Sequence, residues 1–177
     1  MDDTKIAKVS EKFVDAPFAL ANREKGFDCL NSLIYFYEGL GFKFPRTFGE
    51  WNEGNYAAGW LRNPGHARRV FHRFLMQLGT EADINYLKRG DLLILEGDLS
   101  KGNIREDVEL AMKEELEKSF PGMTDYIKGL FAGREILSFP AIYLGNDNLL
   151  IVFNKGVKVV PFGFFKKSVV ACRRLVK

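Results

Sequence analysis

Histidine and cysteine are scarce, with two of each in 177 residues. Cys29 and Cys172 lie far apart with no CxxC spacing, and His66 and His72 sit apart from both. A structural zinc site needs about four closely arranged nitrogen and sulfur ligands, so a metal centre is not expected. No cofactor motif is present either. In a reducing compartment both thiols are expected to be free, and spacing alone does not argue for a Cys29–Cys172 disulfide. Charge of one sign is also missing: 26 basic against 23 acidic residues leave +3, too little to imply nucleic acid as a partner. No run approaches the ~18 apolar residues of a membrane span. The start, MDDTKIAKVSEKFVDAPF, has neither the basic opening nor the apolar stretch of a secretory signal. The expectation is an intracellular, cytoplasmic protein, exported only if a leader has been removed.

What the chain has in plenty is phenylalanine, sixteen residues, within an ordinary globular composition of 46% hydrophobic and 28% charged residues. One domain over 1–177 with an aromatic-rich core is expected. Residues 1–25 read as a polar helix and a loop. In GFDCLNSLIYFYEGLGF, Leu30, Leu33, Ile34 and Tyr37 recur at helical spacing. This predicts a buried helix from about Cys29 to Glu38, with Asp28 as N-cap and Gly39 or Gly41 as its stop. Residues 43–63, with two Trp, a Pro and several Gly, read as a long ordered loop. Pro64 then opens a second helix, with an apolar stripe through Ala67, Val70, Phe71, Phe74, Leu75 and Leu78.

LKRGDLLILEG (87–97) reads as a turn and a strand. Residues 98–137 change character. A charged helix with an apolar face of Ile104, Val108, Ala111, Met112 and Leu116, and a shorter helix after Pro121, suggest a helical insertion between two strands. FPAIYLG, NLLIVF and VKVVPF then read as an antiparallel meander with turns at 145–147 and 154–156, and SVVACRRLV as a closing strand. The class is α+β.

Cys29 at a helix start sits where backbone N–H groups and the macrodipole favour a thiolate, although buried packing is the commoner use of a cysteine. Here a resemblance enters. GFDC, a helix and LGFKFPRT are similar to the nucleophile block of NlpC-type cysteine peptidases, commonly Phe-Asp-Cys-Ser-Gly before a helix and a Leu-Pro-Arg-Thr-like stretch. LKRGDLLIL resembles that family's Leu-x-Pro-Gly-Asp-Leu strand. AIYLGNDNLLIVFNKGVKVV resembles the strand pair bearing its base, and FKKSVVACRRLV its closing strand. These four blocks cover about half the chain.

The resemblance implies a papain-like fold, with a nucleophile helix packed on a C-terminal antiparallel sheet or small barrel. It also implies a site for cleaving stem peptides of the cell wall. Cys29 would stand as nucleophile, but the base position is Phe139 and the third position Ile151 or Val152, all apolar. Leu30 and Asn31 replace the usual Ser and Gly. A thiol of pKa ~8.5 is only a few per cent ionised at neutral pH, and the missing acid–base help is typically worth ~10²–10⁴-fold. His66, near the Trp-rich loop, is the better candidate for a relocated base; His72, among Arg68, Arg69 and Arg73, reads as a solvated helix side. Asp28, Trp51, Tyr56 and Trp60 are candidate binding residues, the aromatics either lining a peptide or sugar cleft or pinning their loop. Arg62, Arg68, Arg69, Arg73, Lys88 and Arg89 form a basic cluster that reads as charged surface or as a seat for an acidic group.

Three functions follow. The favoured one is a divergent, catalytically impaired NlpC-like protein that binds a peptide, a cell-wall fragment or a protein partner. The second is an active cysteine hydrolase using Cys29 with a base such as His66. The third is an assembly or scaffold protein that uses the insertion.

Overall fold

A computed structural model describes residues 3–22, 24–97, 137–153 and 156–175. The expected insertion, with the apolar face from Ile104 to Leu116, falls outside the described residues, as does the expected turn at 154–155.

Helix α1 (Asp3–Ser10) is followed by α2 (Cys29–Gly39). Between them, Asp15 donates its backbone N–H to Val157 O, and Val157 N–H donates to Ala16 O, so the chain closes over a sheet edge before α2 begins. Asp28 is the N-cap of α2 as expected: its carboxylate accepts the Asn31 N–H at 2.9 Å. At the other end Gly41 takes φ +92°, in the left-handed region that terminates helices. The Lys5 ammonium caps the carbonyl of Leu40 at 3.0 Å.

Residues 43–63 are more regular than a loop. They hold a short ladder of β1 (Thr47–Phe48) with β2 (Trp51–Asn52) and a helix α3 (Tyr56–Arg62). Helix α4 (Pro64–Gln77) follows, with Pro64 in its first turn and Asn63 capping the His66 N–H. Its expected stripe is buried throughout, from Ala67 to Leu78.

The sheet has six antiparallel strands. They are β3 (Thr80–Glu81), β4 (Leu92–Gly97), β5 (Leu137–Gly145), β6 (Asn148–Phe153), β7 (Gly156–Pro161) and β8 (Val169–Arg174), in the order β3-β8-β4-β5-β6-β7. β5, β6 and β7 form the expected meander. Asn146 and Asp147, both at positive φ, make the tight two-residue turn whose twist suits a hairpin. The C-terminal strand β8 inserts between β3 and β4 instead of lying at an edge. A short helix α5 (Phe162–Phe165) and a 3₁₀ turn bridge β7 to β8.

Side chains alternate across a strand, so each strand feeds two packing layers. Leu92, Ile94, Ile142 and Leu150 join α1, α2, α4 and the Phe44–Phe48 segment in the main core. Leu93, Leu95, Ala141, Leu149, Ile151 and Cys172 face the other way, under Phe162, and form a second cluster. Both faces are buried, which gives β4 and β6 continuous apolar runs instead of alternation.

Candidate functional site

The start of α2 is the most elaborated polar feature of the described residues. Asp28 is only 3% exposed, and four donors converge on its carboxylate. They are the Ala21 N–H (2.7 Å), the Asn31 N–H (2.9 Å), the Asn31 side-chain amide (3.2 Å) and the Tyr56 hydroxyl in a short hydrogen bond. Asn31 also donates to the Tyr56 oxygen at 3.2 Å, closing a ring of three buried polar groups. Burial and the adjacent Asp28 charge push the Tyr56 phenol well above its ordinary pKa, so it stays a donor. This network ties α3 to the N-terminus of α2, and it satisfies a carboxylate that would otherwise be costly to bury.

Cys29 follows Asp28 at the first helical position and packs against the main core while keeping part of its surface open. Desolvation, and then the Asp28 charge, push its thiol from 9.0 up to about 12. A backbone hydrogen bond at the helix start pulls the other way but does not win. The helix-end effect that favours a thiolate is thus outweighed by burial and by a carboxylate placed next in sequence. At neutral pH the sulfur is a thiol.

Both imidazoles have partners of their own. The His66 Nε2 is paired with the Glu50 carboxylate, and its ring stands edge-on to Trp51 at 5.6 Å. His72 does not lie on a solvated helix side as expected. It is partly buried against the β4–β5 pair, with Nδ1 2.7 Å from Ser138 Oγ and 3.7 Å from Glu96 Oε1. α4 packs across β5, so this side chain reaches the strand pair instead of water.

Phe139 pairs with Leu95 and joins the second cluster, together with Ala141 and Tyr143. Cys29 packs on the opposite face of the sheet, with Ile142 and Leu144. The resemblance implied that residue 139 would face the thiol; the alternation along β5 puts its ring on the other side. Ile151 shares the face of Phe139, whereas Val152 packs on the face of Cys29. The helix-facing side of β5 offers Ser138 and Ile142 and no imidazole.

Trp51 and Trp60 are half-buried against the main core. A Cβ on Gly59 would come within 2.6 Å of the Trp51 indole, so that ring is clamped onto α3. Trp60 stacks edge-on against Phe71 at 6.0 Å. Both rings therefore pin residues 43–63 to the core. Arg89 pairs with Asp3 at 3.4 Å and lies over Gly145, while Arg62, Arg69 and Arg73 are exposed along α3 and α4. Cys172 is buried in the second cluster, where burial, followed by Asp91, pushes its thiol up to about 12. Lying on the face opposite Cys29, it is not positioned for a disulfide, and both cysteines are free.

One pairing was not foreseen, although its partners lie in two of the blocks quoted above, Asp91 in LKRGDLLIL and Arg174 in FKKSVVACRRLV. Asp91, 1% exposed, accepts the Lys88 N–H at 2.8 Å and both Nε (2.8 Å) and Nη2 (2.6 Å) of Arg174. The bidentate pair locks β8 onto the turn that opens β4. Among the described residues, no group of three or more metal-ligating side chains gathers, and no helix is long and apolar enough to cross a membrane.

Two solved structures share this fold. An NlpC/P60 family protein from Bacillus cereus superposes with a TM-score of 0.55 at 16% identity. The P60 domain of an antigen from M. avium paratuberculosis superposes at 0.51, also at 16% identity. The fold is that of the NlpC/P60 proteins. The match covers 100% of this chain but 41% of the Bacillus cereus chain, and 98% of this chain with 93% of the P60 domain. The α+β, papain-like architecture is thereby shared with NlpC/P60 proteins, while the low identity limits the likeness to fold. No family model matches the sequence, and no curated protein does.

Proposed function

We propose that this chain is an NlpC/P60-like protein that binds a peptide, a cell-wall fragment or a protein partner and does not hydrolyse peptide bonds. The observation that carries the reading is the state of Cys29. Its thiol is pushed up to about 12 by burial and by Asp28, and the imidazoles of His66 and His72 are held by Glu50 and by Ser138. Attack by sulfur needs a thiolate, and expulsion of an amine needs a proton donor. Among the described residues, Cys29 has neither a thiolate-forming base nor an imidazole bonded to it. The resemblance in sequence gives Phe139 the base position and Ile151 or Val152 the third; Phe139 and Ile151 lie on the sheet face away from Cys29, and none of the three side chains can act as a base. The buried Asp28–Tyr56–Asn31 network fixes the start of α2, beside which Cys29 keeps part of its surface open, and a rigidly held, partly open position suits recognition.

The test uses soluble stem-peptide fragments of cell wall as the probe. The reading expects no cleavage by mass spectrometry after prolonged incubation with stoichiometric protein, and saturable binding unchanged in Cys29→Ala. Turnover that disappears in Cys29→Ala overturns it.

A further inference from the structure

A second surface, far from Cys29, has the makings of a small binding site. Val9, Lys12, Tyr35, Glu38 and Gly39 line a cavity of about 220 Å³ between the end of α1 and the outer side of α2. At ~1.5 Å rise per residue, Tyr35 and Gly39 lie ~9 and ~15 Å along α2 from Cys29, and the thiol is not among the residues lining the cavity.

Its walls are fixed. Gly39 lets α1 come close, since a Cβ there would lie 3.0 Å from Val9 Cγ1. Beneath Tyr35, the rings of Phe13 and Phe27 stand edge-on at 5.0 and 5.5 Å, and they hold its ring with 37% of the residue exposed. A rigid aromatic wall with an exposed face binds apolar groups at low entropic cost.

The charges are unbalanced. The Glu38 carboxylate is already paired with the Arg46 guanidinium, which also holds Glu53. Lys5 is committed to the Leu40 carbonyl. Lys12 is exposed and has neither an ion pair nor a side-chain hydrogen bond among the described residues. The cavity thus presents one uncompensated cation beside an apolar ring and the Val9 side chain. At ~30 Å³ of liquid volume per water, it holds the equivalent of about seven waters, the size of one amino-acid residue.

The geometry points to a site for a small carboxylate with an apolar body, the C-terminal residue of a peptide: the carboxylate on Lys12, the side chain on Tyr35 and Val9. This goes beyond the proposed function and does not depend on Cys29.

The probe is N-acetylleucine, with N-acetylleucinamide as its uncharged control, followed by amide chemical shifts of the full chain. Saturable shifts at Val9, Lys12, Tyr35 and Gly39 are expected with the acid and about tenfold weaker binding with the amide. Lys12→Met should weaken the acid about tenfold, Lys12→Arg should restore it, and Cys29→Ala should leave it unchanged. Lys12 is exposed, so its variants keep the fold. Equal binding of acid and amide, an unaffected Lys12→Met, or no saturable shift at millimolar probe overturns the assignment.

Discussion

Tyr56→Phe removes a single oxygen and tests whether the network at the start of α2 holds the molecule together. The hydroxyl donates to Asp28 and accepts from Asn31, and all three residues are at most 4% exposed. A hydrogen bond to a charged group contributes ~1.5–3 kcal/mol, more than a neutral one, because a buried carboxylate gains most from each donor. Phe fills nearly the same volume, so no cavity term adds. The Asn31 amide retains Asp28 as a partner, which keeps the loss within that range. For a domain of this size ~1 kcal/mol lowers Tm by ~2–4 °C, so a drop of ~3–12 °C is expected. Urea unfolding should show a lower midpoint with an unchanged slope. A Tm within a degree of the parent chain refutes the argument, because it would mean that the carboxylate is satisfied without Tyr56.

Arg174→Met leaves Asp91 buried with the Lys88 N–H but no cation, and should cost ~3–5 kcal/mol in chemical unfolding. Gly59→Ala forces the Trp51 indole outward; a loss of ~1–3 kcal/mol and red-shifted tryptophan emission are expected. The Cys29 and Cys172 thiols are both raised from 9.0 to about 12 in the fold. Such groups lend stability that is fully present below pH 9 and is lost as pH rises toward 12. Thermal stability should therefore fall from pH 9 upward, and less steeply in Cys172→Ala; a flat profile contradicts the desolvation of the two sulfurs.

The regular parts of this fold could be read from periodicity. α2 and α4 announce themselves by apolar spacing, and Asp28 sits one residue before the helix it caps, so its role is local. Its partner Tyr56 lies 28 residues on, and nothing in a linear pattern joins them. The β1–β2 ladder and α3 were hidden because Gly54 and Gly59 look like loop residues, whereas Gly59 is small to admit Trp51. His72 falls among arginines, and only the packing of α4 on β5 reveals its contact with Ser138. The side occupied by Phe139 was illegible for a different reason. With both faces of the sheet buried, FPAIYLG carries no polar alternation to say which residues face α2.

The protonation of Cys29 is measured most directly by the rate of its alkylation with iodoacetamide across pH, followed at the Cys29 peptide by mass spectrometry, in the parent chain and in Asp28→Asn. The account predicts a rate that is still climbing at pH 10, with the variant's profile shifted to lower pH but, because burial is the larger cause, not to the range of an activated nucleophile. A rate that levels off with a midpoint below ~8.5, the value of a free thiol, would contradict it.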